Sequence, residues 1–461
     1  MANKGHSRGV TPHLADQADT EQASHVPYLP PEVHRIIASY VHSSDLPNYR
    51  LASKCLAEIG AEELFSTVTF HCSSASIARI NNIKGCERLN KYVRSMVWDT
   101  NFWRIPDVQD LHEWRRYFKR RGFAARCSAD VAENELADRL ASLEADRKEW
   151  GRYLDHTIDE KKAKKNSVLQ NTFAGFENLS KLHILNGALA GDHRGVKKVG
   201  EDACFPGHGS GYWRGESLYN DGDHIHYLVR AGGHALAAIR SFRGISWRLT
   251  KLRMDAVCPE VFAAPIGVEA LQNLSSLHIK LTLRVKSNVR LELYTDQRMR
   301  RAQEAFRRLH FMDFLARFPE LESLKLDCSG RFLDNAPTTV HDIFPKHYTW
   351  PKLRKLSLLH VNAAPEPLLG LLERHGATLE KLNLHDIMLE FDRFGPYGPV
   401  KGHPWEWPHI FKKMKDVLRL GRATFSGCFS TTDTKADENL ALAAATYLVK
   451  GGESPFKELQ E

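Results

Sequence analysis

LEKLNL, residues 379–384, holds three leucines in the spacing L-x-x-L-x-L. The last two stand two residues apart and so point to the same side of a strand. The first, three residues earlier, curls into the same core. The spacing recurs as LSKLHI from Leu179, LTKLRM from Leu249, LSSLHI from Leu274, LESLKL from Leu321 and LRKLSL from Leu353, with a weaker LGRATF from Leu420. One such unit cannot bury its own apolar face, whereas stacked neighbours can, which is a physical reason for the pattern to repeat.

Successive starts lie 70, 25, 47, 32, 26 and 41 residues apart. The shorter gaps suit a leucine-rich repeat of one strand and one helix or loop, and the longer ones hold insertions. The Asn or Cys expected three residues after the last leucine is replaced by Ser329, Val361 and Ile387, so the array is divergent. Residues 191–223, rich in Gly, His and Asp, and residues 391–408, rich in aromatics and prolines, read as loops. Residues 107–165 read as charged helices, and ENLALAAATYLV near the end reads as one last helix. The polar residues that flank the apolar ones in each strand face outward. They give a candidate substrate surface of Ser276, His278, Lys325, Asp327, Lys355, Ser357, Lys381 and Asn383, with Lys280 and His385 beside them.

Ahead of the repeats stands YLPPEVHRIIASY, residues 28–40. Pro30 and Pro31 suit the first turn of a helix, where a backbone N–H lacks a partner anyway, and Glu32 complements the positive helix end. Val33, Ile36, Ile37, Tyr40 and Val41 then recur as one apolar helix face. A second helix follows the capping cluster Ser43-Ser44-Asp45 and carries Leu46 and Leu51. A third, SKCLAEIGAEELF, carries Leu56, Ile59, Leu64 and Phe65, and STVTF alternates as a strand with Val68 and Phe70 on one side. About 45 residues cannot close a core alone. Such a dense apolar set either docks on the rest of the chain or offers a face to another protein.

Composition narrows the classes. The chain has 461 residues and a formal charge of +8 from 64 basic and 56 acidic side chains, which is mild for its length and demands no nucleic-acid stripe. KKAKK at 161–165 reads as a solvated helix end before it reads as a nuclear signal. No apolar run approaches the roughly 18 residues of a membrane span, and the first 26 residues read as a polar tail without the apolar core of a signal peptide. Cytosol, nucleus or both are the expected locations. The eight cysteines are scattered with no CxxC pair, which argues against a disulfide framework or a structural zinc site. Asp221, Asp223, His224, His226 and His234 have metal-ligating chemistry, but no helical companion motif accompanies them. GHGSG from Gly207 has neither a Walker nor a nucleophile-elbow order. No catalytic residue, metal or cofactor is expected.

The stretch 28–70 resembles an F-box of the kind common in fungal proteins. The residues that carry the likeness are Leu29-Pro30, Glu32-Val33, Ile36-Ile37, Tyr40, Asp45-Leu46, Arg50-Leu51, Ser53-Lys54, Leu56, Leu64-Phe65 and Thr67-Val68. Gly60 inside the third helix and Glu62-Glu63 depart from the pattern. The resemblance implies a three-helix module that binds a Skp-type adaptor, and through it cullin and RING subunits. It assigns adaptor contact to Leu29, Pro30, Val33, Ile36, Ile37, Leu46, Leu51 and Leu56. The expected architecture is mixed α/β: a disordered tail at 1–26, a three-helix F-box at 27–72, a helical linker and the start of the repeat domain at 73–170, an irregular leucine-rich-repeat solenoid with helical and loop insertions at 171–430, and a polar tail at 431–461. The expected function is a non-catalytic substrate receptor of an SCF-type cullin–RING ubiquitin ligase, with an unknown target protein on the repeats. The alternative is a leucine-rich-repeat scaffold acting outside any ligase.

Overall fold

A computed structural model describes residues 29–42, 44–71, 73–99, 166–173, 175–185, 249–257, 261–262, 271–281, 310–328, 339–389, 394–395, 398–399, 406–427 and 434–456, with positions 144, 304, 306 and 308. The chain divides into two compact units, Met1–Glu63 and Leu64–Glu461.

The first unit is helical. Helix α1 (Pro31–Tyr40) begins on Pro31 with Pro30 in the capping place, and Glu32 sits in its first turn. Helix α2 (Leu46–Leu51) follows Asp45, whose carboxylate makes no capping bond but accepts the Ser44 hydroxyl at 3.2 Å. Helix α3 (Lys54–Ser66) begins in this unit and crosses its boundary. The Tyr49 hydroxyl donates to the His34 carbonyl at 3.2 Å, and Arg50 Nε donates to the Ala57 carbonyl at 3.3 Å, which ties α2 to both neighbours. Gly60 makes that approach feasible, because a Cβ there would stand 2.4 Å from Arg50 Cγ.

The second unit is built on a nine-stranded, all-parallel, open sheet: β1 (Thr67–His71), β2 (Ser95–Asp99), β3 (Lys181–Leu185), β4 (Lys251–Val257), β5 (Ser276–Leu281), β6 (Ser323–Asp327), β7 (Lys355–Leu359), β9 (Lys381–His385) and β13 (Arg422–Ser426), in chain order across the sheet. The short β8 (Asn362–Ala363) and β10 (Met388–Leu389) pair with each other, as do β11 (Phe394–Gly395) and β12 (Gly398–Pro399). Every one of the seven repeats forms a strand of the main sheet, and the repeats pair in register. Phe70, Trp98, Ile184, Met254, Ile279, Leu326, Leu358, Leu384 and Phe425 stand abreast, one from each strand, and all are buried. Each such side chain contributes roughly 1.5–3 kcal/mol by leaving water.

The backbone fixes this register in the same way at each step. The Ser275 carbonyl accepts the N–H groups of Glu322 and Ser323; that of Glu322 accepts those of Arg354 and Lys355; that of Arg354 accepts those of Glu380 and Lys381. A turn also precedes four of the repeats, with Phe176, Leu271, Phe318 and Trp350 each buried three residues before the first leucine, whose N–H bonds back to its carbonyl. The expected Asn or Cys positions are filled by Val361 and Ile387, both buried apolar side chains; Ser329 lies outside the described residues.

Helices complete the core. They are α4 (Ser74–Gly85), α5 (Glu87–Asn90), α6 (Asn166–Phe173), α7 (His310–Ala316), α8 (Val340–Ile343), α9 (Pro365–Arg374), α10 (Glu406–Val417) and α11 (Thr434–Lys450). Their buried residues, among them Ile80, Phe173, Phe314, Leu372 and Phe411, join the strand leucines in one cluster. His375, after α9, is buried with both ring nitrogens engaged: Nε2 accepts the Trp350 N–H at 3.0 Å and Nδ1 lies 2.8 Å from the Leu371 carbonyl.

Two expectations change. The end of the chain is more than a polar tail: α11 packs along the edge strand β13 and buries Ala441, Ala444 and Leu448, while Phe456 beyond it is fully buried. An edge strand exposes unpaired backbone, and a covering helix removes that hazard. The span 391–408 is likewise more than a loop, since it contains β11 and β12 and the start of α10, where Trp407 is buried against Phe411 at 5.6 Å between ring centroids. Among the described residues no helix is long and apolar enough to cross a membrane.

Candidate binding surfaces

The first surface lies on the N-terminal unit. An amphipathic helix normally turns its apolar stripe inward. Helix α1 does the reverse. Its one buried residue is Ala38, while Ile36 is 59 % and Tyr40 86 % exposed. Leu29, Ile37 and Leu51 are also exposed, Leu51 by 84 %. Of the six large apolar side chains exposed among the described residues, five lie between Leu29 and Leu51, the sixth being Leu442. Three short helices enclose too little volume to hide them. Pro30 is exposed and Val33 and Leu56 are half-buried. Leu46 differs from the rest of the expected adaptor set: at 3 % exposure it packs within the unit and has no surface to offer a partner.

The second surface is the polar face of the sheet. Strands alternate sides at every residue, so burial of Leu324 and Leu326 turns Ser323, Lys325 and Asp327 the other way, and the same holds along the sheet. All eight residues expected on the substrate surface share this face. Ser276, Lys355 and Lys381 belong to one row across the sheet, with Ser323 between the first two. His278, Lys325, Ser357 and Asn383 form the next row, and Asp327 stands in the third. Within the second row Asn383 Nδ2 donates to Ser357 Oγ at 2.9 Å.

The leucine spacing did not single out His183, Arg253 and Asp255, which join this face. Asp255 is buried, with His183 Nε2 2.7 Å from Oδ2 and Arg253 Nε donating to Oδ1 at 3.0 Å. Burial alone would raise its carboxyl pKa, but the bonds and charges of His183 and Arg253 outweigh that and hold it well below the usual carboxylate range. Beside it, burial and then the cations Lys325 and Arg253 push His278 down to about 4, so it is a neutral imidazole at pH 7. Asp255 lies where β4 shifts register against β5, between Met254 and Val257, and such an irregularity re-aims a side chain. Across this face of β4 to β9, Lys251, Arg253, Lys325, Lys355 and Lys381 outnumber Asp255 and Asp327, so the face is basic and rich in donors. It suits an acidic, carboxylate-bearing segment.

The helices expected at 107–165, KKAKK at 161–165, the loop expected at 191–223 with GHGSG, and the metal-ligating residues Asp221, Asp223, His224, His226 and His234 lie outside the described residues, Glu144 excepted. No known protein-family model matches the chain, and comparison with curated proteins finds no match.

Proposed function

We propose that the protein is a non-catalytic receptor that joins two proteins: an adaptor of the Skp type on the N-terminal unit, and a target on the basic face of the sheet. In this reading it is an F-box subunit of a cullin–RING ubiquitin ligase, and the sheet is a divergent leucine-rich-repeat solenoid. The observation that carries the proposal is the concentration of exposed apolar side chains between Leu29 and Leu51, on a unit compact in its own right. Leu29, Ile36, Ile37 and Leu51 contribute about 1.5–3 kcal/mol each when fully buried, about 6–12 kcal/mol together, which is comparable with association costs of roughly 4–15 kcal/mol only when most of them engage together. Such a receptor works by proximity: it raises the effective concentration of the target near an enzyme that others supply.

The test is co-purification of the full chain with a Skp-type adaptor. A stoichiometric complex that Ile36→Asp disrupts supports the reading. A folded chain that leaves the adaptor unbound contradicts it.

A further inference from the structure

Three neighbouring strands end alike. The residue after β7 is His360, the residue after β9 is Asp386 and the residue after β13 is Gly427, and all three have left-handed backbones, with φ of 54°, 48° and 61°. Glycine adopts this conformation freely, whereas other residues pay of order 1–3 kcal/mol for it. His360 and Asp386 are the non-glycine residues with positive φ among those described. The same turn recurs because the ladder continues through it: the His360 N–H donates to the His385 carbonyl at 2.8 Å and the Asp386 N–H to the Ser426 carbonyl at 2.9 Å. Adjacent strands lie about 4.8 Å apart, so side chains at equivalent positions meet.

They meet as a ligand set. His360 Nδ1 and His385 Nε2 both stand 3.1 Å from Asp386 Oδ2, and the three ligand atoms lie within 4.8 Å of one another. Zinc bonds of about 2.0–2.1 Å to nitrogen and oxygen, in tetrahedral array, separate ligand atoms by roughly 3.3 Å. The outer nitrogen of His385, Nδ1, is 2.5 Å from Ser426 Oγ. Such a bond fixes the ring and presents the opposite nitrogen to a metal. The two imidazoles sit edge to face at 5.0 Å. Gly427 leaves the space that the carboxylate uses, since a Cβ there would stand 1.7 Å from Asp386 Oδ1. All three residues are half-exposed, so an ion can enter from solvent and keep a further coordination position open.

We infer that His360, His385 and Asp386 form a binding site for a divalent transition-metal ion of the zinc class, at the end of β7 and β9. The two imidazoles are borderline nitrogen ligands that favour such an ion over calcium or magnesium, which take oxygen ligands, and the single carboxylate is compatible with either. Three protein ligands leave a fourth position for water or for a group on a bound molecule.

The experiment is a Zn²⁺ titration of the metal-stripped full chain, against a chromophoric chelator, with Co²⁺ ligand-field absorption as a second readout. Asp386→Asn and Ser426→Ala are compared with the parent, and thermal unfolding without metal checks that each folds. The expected result is stoichiometric Zn²⁺ binding that weakens about 10–100-fold in Ser426→Ala and by more in Asp386→Asn. If Asp386→Asn does not fold, Ser426→Ala decides alone. Absence of binding by the folded parent overturns the site, as does binding undiminished in the folded variants, which places the metal on other histidines.

Discussion

Gly60 stands in the middle of α3, where helix propensity alone favours alanine by about 1 kcal/mol. Its role becomes visible only with α2 in place, because a Cβ at Gly60 would press on Arg50 Cγ at 2.4 Å and on Tyr49 Cδ1 at 3.3 Å. Forcing a methyl group into such a contact costs about 1–3 kcal/mol. Gly60→Ala is therefore expected to loosen the N-terminal unit, read as faster amide hydrogen exchange in α2 and α3. Slower exchange would show that propensity wins. His375 makes the same point in the core: nothing in RHGATL marks a buried histidine, and its role comes from Trp350, 25 residues away, whose N–H it accepts. Burial lowers its pKa, and protonation at Nε2 would remove that acceptor.

At the scale of elements, the repeat spacing located seven of the nine strands, and the alternation in STVTF located β1 with Val68 and Phe70 on one side. The strand β2 escaped because the spacing was read in leucines. Val93, Met96 and Trp98 hold the same places as Leu379, Leu382 and Leu384, and all are buried; Phe65, with Val68 and Phe70 of β1, holds the same places on the first strand. The physical requirement is apolar volume at those positions, and aromatic or sulfur side chains supply it equally. The row of buried leucines predicts that Leu358→Ala lowers stability by about 2–5 kcal/mol in denaturant unfolding. A loss under about 1 kcal/mol would contradict a close-packed row. On the polar face His278 sets a pH dependence. Its pKa falls from 6.5 to about 4 on folding, so between these values the unfolded chain holds more protons and stability declines as pH falls. His278→Gln is expected to flatten the part of that slope between pH 6.5 and 4 that His278 supplies, leaving the part from His375. An unchanged slope would mean that His278 is not held neutral. The Asp255 carboxylate acts lower on the scale: its pKa is depressed, so its contribution is present above the ordinary carboxylate pKa and fades as pH drops below it.

The whole molecule presents two surfaces of different chemistry, and they were unequally visible in the sequence. The apolar stripe of α1 stood out by its period, but period alone does not say which way a stripe faces: Ile36 of α1 is 59 % exposed, whereas Leu46 of α2 is 3 % exposed. The polar face was visible residue by residue, since strand alternation places each side chain. Its couplings were not, because His183 and Asp255 are 72 residues apart in the chain, and His360 and Asp386 belong to different repeats. A basic face that takes an acidic segment predicts that Lys325→Glu with Lys355→Glu abolishes target capture while leaving adaptor binding intact. It also predicts that capture weakens as salt rises above about 0.15 M and the Debye length shortens below roughly 8 Å. Capture indifferent to both would move the target site elsewhere.

The proposed docking of a Skp-type adaptor rests on the exposed stripe between Leu29 and Leu51. The most direct measurement is the dissociation constant for that adaptor of the full chain and of Leu51→Asp, with hydrogen exchange confirming that α1 to α3 stay folded. The expected result is a one-to-one complex weakened by at least about 10–100-fold, since the aliphatic contact of about 1.5–3 kcal/mol is lost and a carboxylate must be desolvated in its place. Equal affinity of the two chains, or no complex with the folded parent, would contradict it.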